Sequence, residues 1–129
     1  MVAERFTPRI VVATMSGAGS ELWIKLQERR VMIKVITGYK LKSGADILPI
    51  LLKLRSQALT YPGFVGAENL VNDKDSSIVA IISTWEKVED WRSWEASKAR
   101  REILREAEAL LEEELRVTIY RIIPTARWV

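Results

Sequence analysis

The sequence predicts one α+β domain with the element order β-α-β-β-α-β. Three observations lead there. Stretches 31–40 and 77–85 are dense in β-branched residues, which suit the pleated surface of a strand. Stretches 47–61 and 88–115 instead carry apolar residues at helical spacing. Between the apolar run 64–71 and the one starting at Ser77 lie only Asn72 to Ser76. That link is turn chemistry and too short for a helical crossover, so these strands pair as an antiparallel hairpin. A chain of 129 residues is one domain in length and buries a core without disulfides or a structural metal.

The elements follow in order. Val31 to Lys40 is the first strand; it is apolar on both faces, so both faces are expected to be covered. Lys42 to Asp46 is a turn, with Asp46 as N-cap and Pro49 in the first helical turn, where a missing N–H costs little. Ile47, Leu51, Leu54, Ala58 and Tyr61 mark the buried stripe of this helix, and Pro62-Gly63 ends it. Phe64 to Val71 is the second strand. Ser77 to Trp85 is the third, with Ile78, Ala80 and Ile82 on one face and Val79, Ile81 and Trp85 on the other. The second helical region runs from about Val88 to Leu115, with Glu89 and Asp90 in its first turn, where the macrodipole favours negative charge. Its stripe of Trp91, Trp94, Ile103, Ala107, Leu110 and Leu111 changes register between Ser97 and Arg101, which predicts a break. Arg116 to Ile123 is the fourth strand, closed by Pro124. This is the ferredoxin-like split unit.

Residues 31–124 form this domain, 1–30 an N-terminal extension and 125–129 a C-terminal tail. In the extension, Ile10 to Met15 reads as a short strand, and Gly17 and Gly19 interrupt regular structure. Ser20 to Arg30 fits either a short helix or a strand. The sequence Gly17-Ala18-Gly19-Ser20 lacks the third glycine of a dinucleotide loop and the Gly-Lys-Ser/Thr of a phosphate loop, so it reads as a connector. The apolar run at the N-terminus is too short for a signal peptide, and no stretch is long and apolar enough to span a bilayer. A cytoplasmic protein without membrane contact is expected.

The chain has no histidine and no cysteine but five tryptophans. That composition removes thiolate and Ser-His-Asp catalysis, the usual zinc motifs, and the commonest haem ligand. The net charge of +3 is uneven: residues 1–55 hold ten Lys/Arg against four Asp/Glu, and residues 56–129 ten against thirteen. No basic stripe with interleaved aromatics accompanies it, so no nucleic-acid partner is expected.

Two motifs carry a resemblance. Tyr61-Pro62-Gly63-Phe64-Val65-Gly66-Ala67-Glu68 follows the first helix, and Trp85 to Ser97 places Trp85, Trp91, Trp94 and Ser97 from the end of the third strand into the second helix. In this order the chain resembles the antibiotic biosynthesis monooxygenase (ABM) family over Met32 to about Pro124. The resemblance implies ferredoxin-like protomers paired as a homodimeric α+β barrel, each with its own pocket between sheet and helices. It also implies oxidation of an aromatic, quinol-like or polyketide-like molecule by O2, with no cofactor and O2 as co-substrate. A haem-degrading branch of the family uses an Asn on strand one, a Trp on helix two and a His about three turns beyond. Here those positions are Ile36, Trp94 and Leu104, so haem degradation is not expected.

The candidate substrate-binding set is therefore Trp94, Trp85, Ile36, Leu104 and Arg101, and Trp94 is the candidate catalytic residue. No metal site is expected. Trp94 reads equally as core packing beside Trp91. Tyr39, Tyr61 and Tyr120 are available as proton donors or as structural residues, and Arg100 and Arg101 sit beside the helix break as candidate anion contacts or as surface charge. Ser97 reads as a helix cap, since no base is available to activate it. Trp23 and Trp128 lie outside the resemblance, Trp23 as a candidate anchor for the extension. The alternative function is a non-catalytic small-molecule-binding or stress-related module on the same fold.

Overall fold

A computed structural model describes residues 31–124. The expectations for the extension, for Trp23, for Trp128 and for the tail lie outside the described residues. The elements are β1 (Ile33–Lys40), α1 (Leu48–Ala58), β2 (Phe64–Val71), β3 (Ile78–Trp85), α2 (Val88–Glu95), α3 (Lys98–Ala107), a 3-10 turn over Glu108–Leu110, and β4 (Arg116–Arg121). The strands form one sheet in the order β2-β3-β1-β4, and every neighbouring pair is antiparallel. This is the ferredoxin-like α+β arrangement.

Local chemistry sets the element ends. The Asp46 carboxylate accepts from Leu48 N at 3.0 Å, which holds the entry to α1, although Ile47 is the residue in the cap position. Gly63 has φ +86°, a left-handed conformation open to glycine, and a Cβ there would overlap the Asp90 carboxylate. The turn thus lets β2 start close against the first turn of α2, where Glu86 N donates to Gly63 O at 2.8 Å. In the β2–β3 link, Asn72 Oδ1 accepts from Lys74 N and Asp75 N, and Asp75 Oδ1 accepts from Ser77 N.

The expected break in the second helical region falls between α2 and α3. Ser97 caps α3 there, its hydroxyl accepting from Arg100 N at 3.1 Å. The helix does not run on to Leu115 but stops at Ala107. Glu112, Glu113 and Glu114 follow, and negative charge at a helix C-terminus opposes the macrodipole. Backbone pairing takes over instead: Leu111 bridges to Leu41, and Glu112 N donates to Lys40 O at 2.9 Å.

The helices cover one face of the sheet. Ile33, Val35 and Trp85 are its most deeply buried side chains, with Leu51, Leu54, Trp91, Trp94 and Ile103 packed over them. Among the described residues, the expectation that both sheet faces would be covered holds for this face alone. On the other face Ile36 pairs with Ile82, and Lys34 with Thr84 and Tyr120; Ile36 and Ile82 are half-buried and Tyr120 is exposed. No helix among the described residues is long and apolar enough to cross a membrane.

Candidate functional site

A cleft opens inside the core between the sheet and the helices. Its floor comes from inward positions of three strands: Thr37 and Tyr39 of β1, Ala67 and Asn69 of β2, and Ile81, Ser83 and Trp85 of β3. Alternation along each strand sends these residues to one face, and the register sets Thr37 beside Ile81 and Ala67 beside Ser83. Leu51, Leu54 and Arg55 of α1 form one wall, and Trp91 and Trp94 of α2 with Arg100 of α3 form the other. The cavity measures about 40 Å³, enough for a few waters at roughly 10–15 Å³ each. Arg55 is exposed and donates to Ala67 O at 2.8 Å, so its side chain bridges α1 and β2 at the rim.

The aromatic walls are interlocked. Trp85 meets Phe64 edge-on at 5.2 Å between ring centroids and Trp91 at 6.0 Å, and Tyr61 meets Trp94 at 5.0 Å. Such edge-to-face pairs add to the stabilisation from burial. Trp85 Nε1 donates to Ser83 Oγ at 3.1 Å. Trp91 Nε1 is buried with no acceptor among the described residues.

Two ionisable groups line this space and sense each other's charge. Tyr39 is 3% exposed, and burial pushes its phenol up to about 12, with the Arg100 charge pulling weakly the other way. It is a neutral donor at physiological pH. Arg100 is itself half-buried, and burial lowers its pKa while Tyr39 and Glu95 hold it up. Its guanidinium lies over the Trp91 ring, 5.2 Å from the centroid. Its one protein acceptor among the described residues is Glu95 O at 3.5 Å, a long contact.

Of the expected site residues, Trp85 and Trp94 line the cleft. Ile36 does not: it lies on the opposite sheet face, because its neighbour Thr37 takes the inward position. Arg101 is exposed and donates to Ala96 O at 2.7 Å, while Arg100, one residue earlier, faces the cleft. Leu104 is half-buried and packs against the core away from the cleft lining. Of the tyrosines, Tyr39 lines the cleft, Tyr61 braces Trp94, and Tyr120 is exposed on the far sheet face. Thr37, Asn69, Ser83 and Arg55 were not singled out in the sequence. Ser83 had a signal, because it shares the parity of Val79, Ile81 and Trp85. Among the described residues no cluster of acidic, His or Cys side chains has the makings of a metal site.

The fold has many solved counterparts. A conserved protein from Methanosarcina mazei Go1 superposes with a TM-score of 0.66 at 16% identity, covering 74% of this chain and 97% of that one. A structure described as an antibiotic biosynthesis monooxygenase matches at 0.64 and 19% identity, covering 71% and 99%. SnoaB of Streptomyces nogalater, described as a cofactor-independent oxygenase, matches at 0.66 and 14%, covering 75% and 98%. At these identities the likeness is one of fold. No curated protein matches the sequence. The family model for antibiotic biosynthesis monooxygenases matches residues 32–106, more than half of the chain, and the protein belongs to that family.

Proposed function

We propose that the protein is a cofactor-independent monooxygenase acting on a small aromatic, quinol-like or polyketide-like molecule, and that it works as a homodimer. The observation that carries the reading is the cleft itself: an aromatic-walled space in the core with a neutral Tyr39 phenol and the Arg100 cation at its lining.

The chemistry needs little from the protein beyond such a space. An acidic CH2 conjugated with a carbonyl through an aryl ring loses one proton to solvent, and the carbanion passes one electron to O2. The radical and superoxide combine to a peroxide, which takes up a proton. Loss of water then leaves a ketone, so one oxygen atom ends in product and the other in water. No metal or flavin enters this balance. The protein's part is to exclude water, to hold the ring, and to stabilise the oxygen of the developing enolate with fixed donors. On this reading Tyr39 donates to that oxygen with the Arg100 charge beside it, and Trp85, Trp91 and Trp94 hold the ring.

Pairing is supported by the far sheet face, where Ile36 and Ile82 sit side by side and no helix among the described residues covers them. A self-complementary contact between two such faces buries them in both protomers.

The test is oxygen uptake by the purified protein against a panel of quinols and anthrones, with Trp94→Phe and Tyr39→Phe beside it. Saturable uptake that falls in both variants supports the reading. Binding without uptake across the panel replaces it with a small-molecule-binding module.

A further inference from the structure

The charges around the cleft are one-sided. Arg55 and Arg100 line it, and no Asp or Glu does. Arg55 is committed to Ala67 O, but Arg100 has no carboxylate within ion-pair distance among the described residues. A half-buried guanidinium is stabilised by a paired anion, and its planar fork suits the two oxygens of a carboxylate. Its setting raises the demand. The first turn of α3 contains Lys98, Arg100 and no acidic residue, and cations at a helix N-terminus oppose the macrodipole. Of the nearby charges, Lys98 pairs with Glu102 at 3.5 Å, and Glu95, whose charge Arg100 senses, is itself paired with Arg92 at 3.2 Å, so among the described residues Arg100 has no carboxylate of its own.

A second polar group at the same place also lacks a partner. Trp91, whose face carries the Arg100 guanidinium, has a buried Nε1 without an acceptor among the described residues. Buried donors without acceptors are uncommon in folded proteins. Here a cation and a buried indole N–H sit at one place, and an acceptor oxygen with negative charge suits both.

We propose that Arg100 anchors an anion subsite, and that the ligand of the cleft is an aromatic carboxylic acid, its carboxylate on Arg100 and its ring among Trp85, Trp91 and Trp94. This deepens the reading of the cleft as the substrate site and rests on it for the claim that the acid is a substrate; the binding claim stands separately.

The experiment uses full-length 15N-labelled protein and two probes of matched shape, benzoate and methyl benzoate. The indole N–H signals of Trp91 and Trp94, assigned through Trp→Phe variants, report on the cleft. Benzoate should shift both saturably and bind at least about tenfold more tightly than the ester, as a charge-assisted pair implies. Arg100→Gln should weaken benzoate by about ten- to a hundredfold while leaving the ester unchanged, and Arg100→Lys should fall between. Equal binding of acid and ester, benzoate binding that survives Arg100→Gln, or no saturable shift at these indoles each overturns the proposal. The acid-to-ester ratio in the wild-type protein decides alone if Arg100→Gln does not fold. Oxygen uptake is not the readout, so the two readings fail separately. Acid preference without uptake on any substrate removes the oxygenase, and uptake on neutral anthrones without acid preference removes the subsite.

Discussion

The indole of Trp85 is held by Ser83 two residues earlier on the same strand, Nε1 to Oγ at 3.1 Å, with both side chains buried. Positions two apart share a face, so the serine is the nearest hydroxyl that can satisfy the deepest tryptophan of the core. Ser83→Ala leaves the indole N–H buried without an acceptor, at a cost of about 1–3 kcal/mol. Urea denaturation should show that loss, and Ser83→Thr, which keeps a hydroxyl, should recover part of it.

Gly63 and Asp90 make a second close relationship. The glycine has φ +86°, and a Cβ would run into the Asp90 carboxylate. Gly63→Ala therefore combines backbone strain with overlap, and about 1–3 kcal/mol of destabilisation is expected from the strain alone. The thermal midpoint should fall by several degrees. Adding Asp90→Ala should restore the part due to overlap and leave the part due to φ.

These two relationships differ in how far the sequence discloses them. Pro62-Gly63 announces a helix end, but nothing in one dimension says that Asp90 packs on it. The element order and the break at Ser97 were legible because capping and periodicity are local signals. The end of α3 was not, because Leu110 and Leu111 continue the helical spacing while a non-local bridge to Leu41 decides the outcome. The cleft was legible in part. Trp85 and Trp94 carry it through the motif, but β1 has apolar residues on both parities, so Ile36 and Thr37 compete for the inward face until the pairing with β3 fixes the register. The choice between Arg100 and Arg101 turns on helix phase after the break, which the capping residue resets.

Asp75 gives a stability prediction with a sign. It accepts from the backbone and hydroxyl of Ser77 and pairs with Lys40 at 3.2 Å. The hydrogen bonds from Ser77, then that from Lys40, lower its pKa to about 2. A carboxylate with a depressed pKa stabilises the fold above its unfolded value of about 3.9, and the contribution is lost as pH falls toward 2. Asp75→Asn should flatten the acid limb of stability between about pH 4 and 2, as read from urea midpoints, and change little of its shape above pH 5.

Ile36 and Ile82 lie opposite each other on β1 and β3, on the sheet face away from the cleft. If a second copy covers this face, Ile36→Glu places a charge in the interface, and charges are poorly tolerated at such a buried site. Light scattering should then give a dimeric mass for the wild-type protein and a monomeric mass for the variant. A wild-type protein that is monomeric in dilute solution overturns the pairing.

Tyr39 tests the chemistry of the cleft through its ionisation. Its phenol is raised to about 12 by burial, against an ordinary value near 10. The folded state therefore holds this proton more tightly than the unfolded chain. Stability from this group is complete below about pH 10 and is lost as pH rises toward 12. Absorbance titration at about 295 nm should show a tyrosinate component near 12 that Tyr39→Phe removes. The same proton bears on catalysis. A neutral phenol donates to an enolate oxygen, whereas a phenolate repels it. On the proposed reaction, loss of rate through Tyr39 ionisation should be absent up to about pH 11, an order of pH beyond where an ordinary tyrosine begins to fail. Tyr39→Phe should lower kcat by about a hundredfold, the usual scale for removing one donor to a developing oxyanion, while KM changes less. A variant with unchanged kcat would leave Tyr39 as packing in the cleft floor.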